Sequence, residues 1–138
     1  MRTRIGRAWL LGGGLLLISG GCTSDALDGR RLEGTEIQVL FADHTVEGHH
    51  DVWDYDFRSY YDPAGTFRSH QSHRDTPRDA RWWVEGDEIC VEWSDEPGPL
   101  CRIMLVQDGI YKKVLHRGDV TKIVVTFARF TSGNPEGL

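Results

Sequence analysis

A chain of 138 residues with 16 basic and 21 acidic side chains carries a formal net charge of −5, which excludes the basic footprint that binding to a phosphate backbone requires. Setting aside the first 21 residues, with Arg2, Arg4 and Arg7, leaves 13 basic against 21 acidic groups, a net charge of −8. What remains has the length of one domain with a modest core, to which 4 tryptophans, 4 tyrosines and 5 phenylalanines contribute much.

The N-terminal arginines have no acidic neighbour, and the apolar run Ala8 to Ile18 that follows them is far shorter than the ~20 residues that span a bilayer. Residues 1–21 therefore read as a signal peptide. The stretch Leu15-Leu16-Leu17-Ile18-Ser19-Gly20-Gly21-Cys22 resembles the lipobox of bacterial lipoproteins. That resemblance implies cleavage before Cys22, lipid on Cys22, and, with Thr23 next in line, the outer membrane. Ser19 stands where the lipobox usually has leucine, and the alternative is a plain secretory signal, which exports the chain and leaves it free. Residues 22–31 are polar, carry Gly29 and read as a flexible tether.

A single β-rich domain is expected over residues 32–130. Thr35 and Gln38 have the spacing of a capping box, and Ile37, Leu40 and Phe41 share a helical face, which predicts one short helix over Glu36 to Ala42. The segment around His44 to Asp54 reads as polar loop and edge. From Trp53 to Tyr61 the period is two, with Trp53, Tyr55, Phe57, Ser59 and Tyr61 on one face of a strand. Asp62-Pro63-Ala64-Gly65 suits a type I turn, and setting Tyr61 opposite Thr66 puts Arg68 and His70 on the aromatic face, so a bulge is expected. Gly86-Asp87 suits a type II′ turn that pairs Val84 with Ile89, Trp83 with Cys90, Trp82 with Val91 and Arg81 with Glu92. Ser94 to Pro99 is a loop. Asp108-Gly109 predicts a type I′ turn between Leu100–Gln107 and Ile110–Leu115, and Val120–Phe130, apolar on both faces, a central or closing strand. Residues 131–138 read as a frayed tail. The fold class is mostly β: an antiparallel meander of about 7–8 strands, forming a small barrel or strongly bent sheet, with one short N-terminal helix.

With Cys22 given to lipid, Cys90 and Cys101 are the pair left in an oxidising compartment, and a bridge between them follows. The histidines are the first candidates for a metal site: His49, His50, His70 and His73 lie among several carboxylates, although strand alternation turns the members of each close pair to opposite faces. Trp53, Tyr55, Phe57 and Trp82 are candidates to line a cavity for an apolar ligand, or else to fill the barrel. No G-x-S-x-G, H-E-x-x-H or Walker motif is present, so the chain reads as non-enzymatic and without a cofactor.

Tyr60-Tyr61-Asp62-Pro63-Ala64-Gly65-Thr66, then Trp83-Val84-Glu85-Gly86-Asp87-Glu88-Ile89-Cys90, then Cys101 and a later Asp-Gly turn resemble a group of small exported proteobacterial proteins of unknown function with a W-x-V-x-G-D-x-x-C strand pair. The shared positions belong to turns, core and disulfide, so the resemblance implies a fold and no activity. The functional expectation is a lipid-anchored protein of the bacterial cell envelope, held at the outer membrane facing the periplasm, that binds a small apolar ligand or another envelope protein. An inhibitor of an envelope-attacking enzyme such as lysozyme is the first alternative, with Ser94–Pro99 as its acidic loop. Periplasmic metal handling through the histidines is the second.

Overall fold

The computed structural model describes residues 29–138. Cys22, the expected signal segment 1–21 and most of the expected tether lie outside the described residues. In chain order the elements are β1 Arg30–Arg31, α1 Gly34–Phe41, β2 His44–His50, β3 Tyr55–Tyr61, β4 Thr66–Gln71, β5 Arg78–Glu85, β6 Glu88–Trp93, β7 Leu100–Gln107, β8 Ile110–Arg117 and β9 Val120–Ser132. Strands β2 to β9 each pair antiparallel with the next, and β9 returns to pair with β2, so eight strands close into an up-and-down barrel. Closure satisfies strand edges that would otherwise be free to pair with another chain. Arg30 and Arg31, expected in the tether, form β1 and pair with Val106 and Leu105, continuing the edge of β7 where β6 stops.

Turn chemistry sets the registers. Gly86 has φ 57 and the hairpin around it pairs Trp83 with Cys90, Trp82 with Val91 and Arg81 with Glu92, as the Gly86-Asp87 turn predicts. Asp108 and Gly109 both take positive φ, at 51 and 76, which is what a type I′ turn requires. Cys90 stands directly opposite Cys101 on β7, and the two are bonded.

The first hairpin corrects the sequence reading. Tyr61 pairs with Phe67, not Thr66, because Gly65 takes φ 98 and adds a residue to the loop; Asp62 donates its N–H to Thr66 at 3.0 Å outside a three-residue turn. This shift of one residue sends Phe67, Ser69 and Gln71 inward and Arg68 and His70 outward, so no bulge is needed. Trp53 does not begin β3. It lies in the preceding turn with 75% of its surface exposed. The supposed polar loop before it is β2, the strand that closes the barrel.

Helix α1 begins two residues earlier than expected, and the capping contact runs from the Glu33 N–H to Glu36 Oε2 at 2.8 Å, not from Thr35 to Gln38. The start is fixed by contact with the sheet: the Gly34 N–H donates to Asp87 Oδ1 at 2.8 Å, and a Cβ on Gly34 would lie 2.1 Å from the Gly86 carbonyl oxygen. Only glycine permits this approach. Ile37 and Phe41, both 0% exposed, plug one end of the barrel. Residues 131–138, read from sequence as a frayed tail, make contacts with the barrel: Gly133 donates to the Asp43 carbonyl at 2.6 Å, and Arg58 binds Glu136 at 2.6 Å. Outside, cross-strand ion pairs such as Arg68–Asp79 and Arg81–Glu92 occupy positions where a membrane barrel carries its apolar band.

Candidate functional site

Inward-facing residues change character along the barrel axis. Near α1 they are large and aromatic: Phe41 meets Tyr61 at 4.8 Å and Phe127 at 5.4 Å, and Tyr61 meets Trp82 at 5.3 Å, all edge-on. Trp82, one of the expected ligand-lining residues, belongs to this filled half, where its Nε1–H donates to the Asp62 carbonyl at 2.8 Å. Beyond this layer the same strands contribute Ser59, Ser69, Gln71, Arg102 and Lys113, which are too small or too polar to meet across the axis. A cavity of about 670 Å³ results, lined by these residues and by Tyr55, Phe57, Val91 and Trp93. Sites for small organic molecules fall in the range of roughly 300–1,000 Å³.

The cavity opens at the end away from α1. Val52, Trp53 and Leu100 line its mouth and are 39%, 75% and 45% exposed. Exposed apolar groups gathered at one opening mark a binding surface more often than scattered ones do. One wall of the mouth is a stack in which Tyr55 lies between His50, at 4.9 Å, and His73, at 4.3 Å. Across from it the Arg78 guanidinium covers Trp93 at 4.0 Å and binds Asp95 at 2.7 Å. Of the other expected lining residues, Tyr55 and Phe57 face the cavity and Trp53 stands at its lip.

The interior is electrically one-sided. Arg74, Arg78, Arg102, Lys113 and Lys122 line the cavity, with Glu96 as its carboxylate, and Glu96 sits 3.5 Å from Arg78. Lys113 projects into the barrel with its Nζ 5.8 Å from the centre of the Phe127 ring. Desolvation, with repulsion from Arg102, pushes its ammonium down to about 8 from the ordinary 10.5. Desolvation lowers Arg102 as well, and burial and Lys113 together lower His50. Among the described residues Lys113 has no carboxylate within salt-bridge distance. The cavity lining also holds an orphan: Gln71, 5% exposed, has an Oε1 with no hydrogen-bond partner, a state native proteins rarely leave unanswered.

The four histidines weighed as metal ligands are not brought together. His50 and His73 face the cavity with the Tyr55 ring between them. His49 and His70 are on the outer face, along a groove that also receives Leu138. His49 binds Asp56 at 2.8 Å through Nδ1 and Asp54 at 3.2 Å through Nε2, and the hydrogen bond to Asp56 raises its pKa. Among the described residues the metal-ligating types that converge in a group of three are Glu85, Cys90 and Cys101, and the disulfide takes both sulfurs.

Lys113, Arg102 and Gln71 were not candidates on sequence. The signal for Lys113 and Arg102 lay in the Asp108-Gly109 turn, whose register sets Lys113 opposite Met104, two residues from Arg102; Met104 is fully buried in the core, so Lys113 and Arg102 share its side of the sheet. Comparison of the chain with protein-family models, with curated proteins and with solved structures finds no match.

Proposed function

We propose that this protein is a non-enzymatic binding module of the bacterial cell envelope, held there by lipid on Cys22, and that it takes a small ligand with substantial apolar surface inside its barrel. The observation that carries the reading is the half-filled interior. A barrel whose aromatic residues closed the axis throughout would be a scaffold only, whereas this one keeps about 670 Å³ open behind an apolar mouth. The envelope setting rests on the lipobox resemblance and on the Cys90–Cys101 bridge, which suits an oxidising compartment.

The inhibitor alternative draws less support. The Ser94–Pro99 loop is exposed, but Asp95 is bound by Arg78 at 2.7 Å and lies 3.8 Å from Arg74, so part of its charge is answered from within the molecule.

The test uses the neutral fluorophore N-phenyl-1-naphthylamine. It should bind the full chain one to one with blue-shifted emission, and Val91→Trp, which fills the cavity, should abolish binding without loss of the folded circular-dichroism spectrum. A fluorophore that never enters the wild type, or enters Val91→Trp equally well, would sink the reading.

A further inference from the structure

Three independent features of the cavity share one requirement. The lining is rich in cations and nearly free of carboxylates: five Lys or Arg side chains against Glu96. Within it, Lys113 and Arg102 lie on the inner faces of neighbouring strands, where the pairing of Met104 with Lys113 and of Ile103 with Val114 sets them diagonally adjacent. Two like charges drawn together away from solvent repel each other, and a native interior answers them with an opposite charge. Among the described residues neither has a carboxylate within salt-bridge distance. Finally, the wall on the path outward is apolar, formed by Phe57, Val91 and Trp93, and ends in the exposed Val52, Trp53 and Leu100.

We infer that the cavity binds a single-chain amphiphile with one carboxylate head, inserted head first, with the carboxylate on Lys113 and Arg102 and the hydrocarbon tail leaving through the Trp53 mouth. This rests on the binding function proposed above and names its ligand class. Position and charge give the polarity of insertion: Lys113 sits close to Phe127 on the cavity floor, whereas the apolar residues with most exposure are at the lip. A tail-first ligand would set its head beside Arg74, Arg78 and Lys122, of which Arg74 and Arg78 are already answered by Asp95 and Glu96, and would lay hydrocarbon against the unanswered Lys113 and Arg102. A small inorganic anion would satisfy the charges and leave the apolar wall wet. The desolvation that lowers the Lys113 pKa works in the same direction, since a bound carboxylate restores what burial removes.

Displacement of N-phenyl-1-naphthylamine from the full chain by dodecanoate, by dodecanol and by acetate separates the alternatives. Wild type should prefer dodecanoate to dodecanol by about tenfold or more, as a charge-assisted contact in a dry site gives, and acetate should not compete. Lys113→Met should bring dodecanoate and dodecanol within about twofold of each other; Lys112→Met, outside the barrel and bonded to Gln107, should keep the preference. Retained fluorophore binding in Lys113→Met verifies that the barrel is intact. Equal affinity of dodecanoate and dodecanol for wild type, a preference that survives Lys113→Met, or competition by acetate as strong as by dodecanoate would each overturn the inference while leaving the binding function in place. Failure of the fluorophore itself to bind would remove both.

Discussion

Lys113 offers the most direct test of the interior electrostatics, because its folded and unfolded titrations are far apart. Burial beside Arg102 holds it at about 8, against 10.5 in the open chain. Between those values the unfolded chain binds a proton that the folded protein does not, so stability rises with pH across that window and is lost as pH falls through 8. Each pH unit inside the window is worth at most about 1.4 kcal/mol, so from about pH 7 to about pH 9.5 the gain due to Lys113 approaches 2 kcal/mol. The window closes from above: Tyr60, held up at about 12 by its hydrogen bond to Asp43, and the buried Tyr61 favour folding below their ordinary titration near 10 and lose that contribution at higher pH. Urea unfolding followed by tryptophan fluorescence, on wild type and Lys113→Met at several pH values from about 7 up to that limit, isolates the residue, since His50, whose titration Lys113 also lowers, titrates below this range. Lys113→Met should be the more stable at neutral pH, with its advantage shrinking by about 2 kcal/mol across the window. Parallel curves would show that Lys113 titrates as an ordinary surface amine and would refute the account of a desolvated interior cation. A saturating carboxylate ligand should flatten the wild-type slope as well, by raising the folded titration back towards the unfolded one.

Gly34→Ala should cost about 2 kcal/mol or more in urea unfolding, because the atom its Cβ would strike is the backbone oxygen of Gly86; Val39→Ala, 75% exposed on the same helix, should change stability by under about 0.5 kcal/mol. Replacing both Cys90 and Cys101 with alanine should lower stability by roughly 2–4 kcal/mol, as expected for a loop closed over a separation of 11 residues; a null effect would mean that the hairpin is already fully held by its other contacts. His49 should titrate above an ordinary histidine and His50 below one when followed by NMR. Asp56→Asn should lower the His49 value and leave His50 in place.

The hairpins that the sequence announced were those whose turns leave no choice. Gly86-Asp87 and Asp108-Gly109 are short, demand positive φ, and fix every pairing beyond them. Registers failed where a glycine did something less visible: Gly65 extended a loop by one residue and reversed the facing of all of β4. Strand β2 escaped for a different reason. Its inward positions are Val46, Gly48 and His50, so period two brings no apolar stripe, and Gly48 lies at a bulge against β9, where a Cβ would come within 2.7 Å of the Thr126 carbonyl oxygen. The cavity was legible only in part. Tyr55 and Phe57 face it as their alternation suggested, but Trp82 fills the other half, and Lys113 and Arg102 look in sequence like solvent-facing charges. Strand alternation records which face a residue takes; whether that face is filled or hollow depends on side chains from strands far apart in the chain.

The closing seam has a consequence for how the protein reaches this state. All other barrel pairings join consecutive strands, but the seam joins His44–His50 to residues 125–132, about eighty positions later, and the entropy of closing so long a loop must be met before the contacts it brings are gained. The disulfide does not shorten that loop by much, since it links neighbouring strands β6 and β7 across a separation of 11 residues. Oxidation therefore constrains one hairpin locally and leaves the long-range closure to be achieved by β2, β9 and the ring of Phe41, Phe127 and Phe130 where they meet. Folding of reduced and oxidised chains should be limited by the same slow step, with substitutions in the seam, Val46→Ala first among them, changing the folding rate more than substitutions beside the bridge.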